Sequence, residues 1–489
     1  MASAQKTDLG SEFDAIDLGD ARLDRRSRKM LGDLAAHPGQ SFPKVWPDDS
    51  ELEAAYRFFG NVKAKPKLLI DAHAERTAER ARALGCPVLV AHDTTEARIP
   101  LYFEDLMRDG LGKKSSRQQG FDAHVSFAIG LDAHAQPLGT LAVQAFVGKD
   151  EISNDKAREF WSQYGGLYAN EMQRWRDGIM RSAELLIDCG HKVIHTGDRE
   201  LGRYAMLAWM QEMDQEFVVR AALDQLAAGR KPRLSLTDAL ADAEWSGKVT
   251  ANIARRSESR SAKSKKSHPS RQARKVELSF RAKAVDLYRA KHKDSDAAYN
   301  PLGELLPDNI EVNVVEVLER NPPPGETAVH WVLVTSLPVA TFAEQLFVVT
   351  CYRRRWMIEE FFRALKQGCR FEQRQLESAA ALLVALAMLL PVAWHLMRLQ
   401  AAADHLPDTP WRKLFGTAVV TAVRRLMPKL ALPVTATVQQ IYLAIAKLGG
   451  HLKRNGPPGW QTLTKGLAEV IAALKGMGAK AFFQVAINP

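Results

Sequence analysis

YRRRWMIEEFFRALKQG, residues 352–368, is the stretch on which the fold reading turns. Placed on a helix at about 100° per residue, Tyr352, Arg355, Glu359 and Lys366 fall within an arc of roughly 60°, while Met357, Ile358, Phe361 and Leu365 point the other way. One face is core; the other gathers a tyrosine, two cations and a carboxylate. Taken alone, that polar face has a plain reading, a solvated surface with an Arg355–Glu359 pair at i,i+4. Lys366 points away from the core on this wheel, so its removal is expected to spare the fold.

Two more carboxylates enter on moving outward from this helix. CPVLVAHDTTEA is a buried-strand pattern ending at Asp93, and HKVIHTGDRE a second one stopping at Asp198. Between them, AHVSFAIGL from Ala123 and GTLAVQAFV from Gly139 read as strands of an antiparallel meander, and about 154–187 reads as helical. RELGRYAMLAWMQ is a further helix, EFVVRAA a strand, and HWVLVTSL from His330 a strand running into the opening helix. A β-β-β-α-β-α-β-α order with acids at the ends of the first and fourth strands and on the last helix is the arrangement of an RNase H-like core. The expected fold class is therefore α/β, a mixed sheet flanked by helices. Asp93, Asp198 and Glu359 converging there would form an all-oxygen site suited to Mg²⁺, with Mn²⁺ able to substitute. Two such ions per site would activate a water or a 3′-hydroxyl for phosphodiester displacement. Each acid by itself also fits a turn or cap residue.

Composition points to a polyanionic partner. The 489 residues carry 67 Lys+Arg against 57 Asp+Glu, a net charge of +10. Residues 255–275 hold nine of those cations, Lys263, Lys265 and Lys266 among them, and one acid. Near the N-terminus, LGDARLDRRSRKML sets Arg22, Arg25, Arg26, Arg28 and Lys29 close together, as DNA-backbone contacts or as a solvated face. Four cysteines with no C-x-x-C spacing argue against a zinc site and a disulfide framework and for a reducing, cytoplasmic setting. The N-terminus lacks the basic and apolar regions of a signal peptide. The uncharged run Ala379–Trp394 is shorter than the ~20 residues of a membrane span and reads as a buried helix. Expected segments are a helical N-terminal domain (1–80), an RNase H-like core in two parts (81–222 and 321–377), a β-rich insertion with the basic loop (223–320), and a helical C-terminal domain (378–489).

With these residues in place, the chain resembles the bacterial DDE transposases of cut-and-paste insertion elements, the group that includes the transposase of transposon Tn-five. The Tyr-x2-Arg-x3-Glu-x6-Lys signature is met at Tyr352, Arg355, Glu359 and Lys366, a D-T-T context at Asp93–Thr95, and a D-R-E context at Asp198–Glu200. Similarity extends to AYRFFGN, to NPPPGETAVHWVLVTSLPV and to IYLAIAKLGG. The resemblance implies that the three acids hold the metals. They would cut one strand, let the freed 3′-hydroxyl close a DNA hairpin, reopen it and join the end to target DNA. It implies that Trp331 receives a flipped base and Trp356 supports the distorted end, and that Tyr352, Arg355 and Lys366 hold phosphates. It further implies terminal inverted repeats as ligand, a homodimeric paired-end complex cutting in trans, no membrane partner, and a bacterial cytoplasmic enzyme associated with the nucleoid. Two other readings stay open: a non-catalytic, domesticated or regulatory DNA-binding protein, and an RNase H-like nuclease without strand transfer.

Overall fold

The computed structural model describes residues 9–100, 110–152, 155–164, 171–221, 228, 234–255, 270–289 and 306–477. Two compact units divide the chain, residues 1–192 with 356–489, and residues 193–355.

The first unit opens with helices α1 (Ala21–Ala36), α2 (Phe42–Val45), α3 (Asp49–Phe59) and α4 (Pro66–Leu84). Asp20 caps α1 by accepting the Arg22 N–H, and α4 begins with a proline in its first turn and ends at Gly85 in the left-handed region, φ 69°. An antiparallel meander follows, as expected: β1 (Val88–Pro100), a short β2 (Gly112–Ser115), β3 (Gln118–Gly130) and β4 (Pro137–Phe146). β1 pairs with β3 along its whole length, from Val88↔Gly130 to Pro100↔Gln118, and β4 lies on the other edge of β3. One expectation is corrected here, since Asp93 does not end its strand. The apolar run stops at His92, but the ladder to β3 carries β1 on to Pro100; its first five residues are buried and the next four are half-exposed.

Helices α5 (Asp155–Gln163) and α6 (Glu171–Leu186) follow the meander. Later in the chain this unit gains α10 (Met357–Arg363), α11 (Ala379–His405), α12 (Thr417–Leu426), α13 (Val438–Leu448) and α14 (Trp460–Gly476). α11 is the spine of the unit. Ser378 caps it by accepting the Ala381 N–H, it runs 27 residues, and 89% of its most apolar 18-residue window is buried. The helix is long enough to span a bilayer, so the length expectation fails, while burial against α4 and β4 makes it a core helix as expected.

In the second unit the strands are β5 (Val193–Gly197), β6 (Glu216–Arg220), β7 (Gly247–Ile253), β8 (Arg274–Tyr288), β9 (Asn309–Leu318) and β10 (His330–Thr335), in the order β5-β6-β10-β9-β8-β7. β5 and β6 are parallel, joined through α7 (Tyr204–Glu212), and the remaining pairs are antiparallel, so the sheet is mixed. The described part of residues 223–320, the expected β-rich insertion, holds the one-turn α8 (Leu236–Ala239) and the strands β7, β8 and β9, which join this sheet through the β9–β10 ladder. Helix α9 (Phe342–Arg354), started by a Thr341–Glu344 capping box, packs Val348, Val349 and Cys351 onto the sheet.

The stretch 352–368 is thus not one helix. α9 begins ten residues before Tyr352, a turn at Arg355–Trp356 interrupts it, α10 is two turns long, and Ala364–Gly368 forms a π turn closed by Cys369 N–H donating to Ala364 O at 2.8 Å. The π turn owes its ending to distant partners: Arg374, 4% exposed, donates to Cys369 O and to Gln40 O, both at 2.5 Å.

Candidate active site

The first unit carries Asp93, Trp356, Glu359 and Lys366 of the expected site. Side chains alternate across a strand, and the register sets Asp93 beside Val125 and Ala91 beside Phe127. These odd positions of β1 and β3 share one face, which α10 covers with Phe361 packed on Phe127 at 4.8 Å. Asp93 therefore lies on the face covered by the helix that carries Glu359, with both residues half-buried. The Asp93 carboxylate accepts the Thr94 N–H at 2.8 Å. Lys366, in the π turn, is not the solvated cation its wheel position implies. Its Nζ donates to Glu96 O at 2.5 Å and pairs with Glu372 at 3.5 Å, so it binds the π turn to β1 three residues beyond Asp93. Trp356 is 49% exposed, with the Arg363 guanidinium 5.6 Å from its ring.

Behind Asp93 the even positions form a buried polar layer. His92 Nδ1 bonds to Ser126 Oγ at 2.9 Å and Thr94 Oγ1 to His124 Nδ1 at 3.0 Å, and Trp175 of α6 meets the His124 ring edge-on at 4.7 Å. Burial, with the Arg174 charge adding to it, pushes His124 down to about 3, so the ring is neutral near pH 7. In the sequence AHVSFAIGL reads simply as a strand; His124 and Ser126 alternating with apolar residues are the signal that separates its two faces.

The second unit carries Asp198, Trp331, Tyr352 and Arg355. Asp198 follows the last residue of β5, as expected, and its Oδ1 accepts the Glu200 N–H at 2.9 Å in an Asx turn. Trp331, on β10, is half-exposed, and its ring lies 6.0 Å from that of Tyr352 at 69°. The Arg355 guanidinium is 5.9 Å from the Tyr352 ring. A tryptophan, a tyrosine and an arginine are thus brought together beside the end of α9. Below Trp331, buried Glu316 accepts from Arg281 Nε at 2.5 Å and pairs with His330 Nε2 at 2.8 Å, fixing the start of β10.

Most of the N-terminal cations have partners inside the fold. Arg26 and Lys29 both pair with Glu51 of α3, Arg28 donates to the Phe13 and Asp14 carbonyls, and Arg25 donates to Ala21 O. Arg22 pairs with Asp20 but keeps 83% of its side chain exposed. In the basic run, Arg274 is held by Glu319 and Glu326, and Arg271 donates to Ala254 O. Lys263, Lys265 and Lys266 lie outside the described residues.

Among the described residues, neither unit gathers three His, Cys, Asp or Glu side chains into a metal cluster of its own. The donor chemistry of the three acids is all carboxylate oxygen, with neither thiolate nor imidazole, which fits a hard divalent cation.

Residues 8–64 match the family model described as transposase DNA-binding, and residues 169–393 match the one described as transposase DDE domain. The first stretch contains Arg22, Arg25, Arg26, Arg28 and Lys29. The second contains Asp198, Trp331, Tyr352, Arg355, Trp356, Glu359 and Lys366, and Asp93 lies between the two. The DDE domain is of the RNase H-like class, in agreement with the class expected from strand order, and such domains use divalent metal ions.

Proposed function

We propose, from the premise of a transposase DNA-binding domain ahead of a transposase DDE domain, that this chain excises a mobile DNA element and joins its ends to target DNA. The observation that carries the reading is the DDE-domain match over residues 169–393, which takes in both Asp198, at the end of β5, and Glu359, on α10. Asp93, Asp198 and Glu359 would hold the metal, Mg²⁺ or Mn²⁺, as two ions. When bound, it lowers the pKa of the attacking water or 3′-hydroxyl and neutralises charge on the leaving oxygen.

The remaining work falls to side chains. Arg355, stacked toward Tyr352, holds a phosphate next to the scissile bond, and its planar fork fixes direction as well as charge. Lys366 contributes positive charge from the π turn. Trp331 offers an indole face to a base flipped out of the duplex, and that stacking offsets part of the unstacking cost, a few kcal/mol. Trp356, at the start of α10, supports the distorted end. The helical segment 8–64 grips the terminal inverted repeat, Arg22 presenting a side chain that is 83% exposed. The C-terminal helices pair two copies, so that each end is cut in trans. The cellular setting is the bacterial cytoplasm, at the nucleoid.

The finer mechanism is tested by denaturing electrophoresis of an end fragment, made from the gene's own flanking DNA and incubated with protein and Mn²⁺. A snap-back hairpin that forms before the blunt end, and strand transfer into a supercoiled plasmid, are the expected products. Blunt double-strand breaks without a hairpin overturn the hairpin route. Nicks without transfer identify a nuclease, and tight binding without nicks a DNA-binding protein.

A further inference from the structure

Asp93 stands between two neighbours that point away from it into the buried layer described above. His92 and Thr94 each hydrogen-bond to the residue directly opposite on β3, Ser126 and His124, so that the pair Asp93↔Val125 is bracketed on both sides. The layer is closed by α6, which approaches through Gly178. A Cβ at that position would come 2.8 Å from Ser126 Oγ, too close for the hydroxyl that bonds His92 to stay in place, and would meet the His124 ring in ordinary contact at 3.5 Å. Trp175, three residues earlier, holds the His124 ring edge-on.

Thr94 connects this layer to the carboxylate. Its N–H donates to Asp93 Oδ1 while its hydroxyl is bonded to His124, so the amide that orients the carboxylate belongs to a residue whose own side chain is pinned. A buried Val–Leu pair would fill the same space with no desolvation of polar groups. What the polar pair adds is direction, because a hydrogen bond fixes rotation about β1 where an apolar contact does not.

We propose that Thr94 and His124 are positioning residues which hold the Asp93 carboxylate in its metal-binding orientation. The proposal rests on Asp93 being a metal ligand, and the experiment separates the two ideas. Free Mn²⁺ is titrated by electron paramagnetic resonance against the full-length protein and against Asp93→Asn, Thr94→Val, Thr94→Ser, His124→Phe and the Thr94→Val/His124→Phe double variant. Thermal unfolding and binding to end DNA are measured on the same samples. Asp93→Asn is expected to lower Mn²⁺ affinity. Thr94→Val and His124→Phe are each expected to lower it about tenfold, the lower end of the range seen when a ligand's outer partner is removed. The double variant should be no worse than either single one, and Thr94→Ser, which keeps the hydroxyl, should bind as the intact protein does. Affinity within twofold of intact in Thr94→Val, with Asp93→Asn impaired, overturns the positioning role. If His124→Phe fails to fold, the isosteric Thr94→Val alone decides. Unchanged affinity in Asp93→Asn overturns the ligand assignment, and the positioning proposal with it.

Discussion

Replacing Lys366 with methionine separates a structural role from a chemical one at a single side chain. Its Nζ donates to Glu96 O at 2.5 Å and pairs with Glu372 at 3.5 Å, both side chains being 27% exposed. A hydrogen bond from a charged donor contributes about 1.5–3 kcal/mol. The ion pair is exposed enough that solvent screening limits it to about 1 kcal/mol or less. Glu372 keeps a second tie, because its carboxylate accepts the Arg98 N–H at 3.0 Å, so losing the lysine loosens the π turn from β1 without releasing it. The loss is about 2–3 kcal/mol. Over 489 residues the unfolding entropy is about 1 kcal/mol/K, so Tm should fall by about 2–3 °C. End binding, assigned to residues 8–64, should not change in a gel shift, while nicking of the bound end should fall at least tenfold, the effect of about 1.4 kcal/mol. Scanning fluorimetry and a single-turnover nicking assay on one preparation read both. An unchanged Tm would refute the structural tie, and unchanged nicking would remove Lys366 from the chemistry.

Other perturbations follow from the same contacts. Glu12, 5% exposed, is held between Arg80 at 2.6 Å and His73 at 2.6 Å. Burial raises its carboxyl, but Arg80 and His73 together outweigh burial and bring it down to about 2. Glu12→Leu should cost about 3 kcal/mol, the low end for breaking a buried pair, because Arg80 is 22% exposed and keeps its bonds to Leu138 O and Thr77 Oγ1; this is seen as a Tm lower by about 3 °C. Burial keeps His124, His195 and His395 neutral in the fold, with values near 3, 4 and 4. Unfolded chains take up those protons below about pH 6.5, so stability is present above that pH and falls below it, by about 1.4 kcal/mol per pH unit for each histidine. Urea midpoints at pH 7.5, 6 and 5 check the sign. Trp331→Ala should leave nicking near normal and cut hairpin yield several-fold, as read on denaturing gels. Duplex affinity should drop more than tenfold between 50 and 200 mM salt if the basic surfaces contact phosphates.

Parts of this architecture are legible residue by residue. The end of β5 is clear because the strand stops at Gly197 and the next residue, Asp198, makes an Asx turn with its own neighbours, a local event. The end of β1 is not local. The three residues after Asp93 are polar, and pairing with the partner strand β3, some thirty residues away, keeps the strand extended to Pro100. The helix wheel at 352–368 misses the interruption at Arg355–Trp356 and the π turn, because the groups that hold the turn's end, Arg374 and Gln40, lie outside the window. Charge was countable from sequence, but partners were not. Glu51 takes up Arg26 and Lys29, and Glu319 with Glu326 takes up Arg274, pairs between residues 22 to 52 positions apart that a count of charges does not reveal. For the apolar run at Ala379, composition identified a core helix, while its full length depended on the Ser378 cap and on packing against α4 and β4.

The most direct test of the central claim is metal-dependent nicking at the element end by the intact protein and by Asp198→Ala, with binding to the same DNA fragment measured in parallel. Nicks are expected at the end with Mg²⁺ or Mn²⁺, and none with EDTA. Asp198→Ala should lose them while binding with unchanged affinity. Nicking of equal rate in Asp198→Ala, or nicking that persists in EDTA, would contradict that claim.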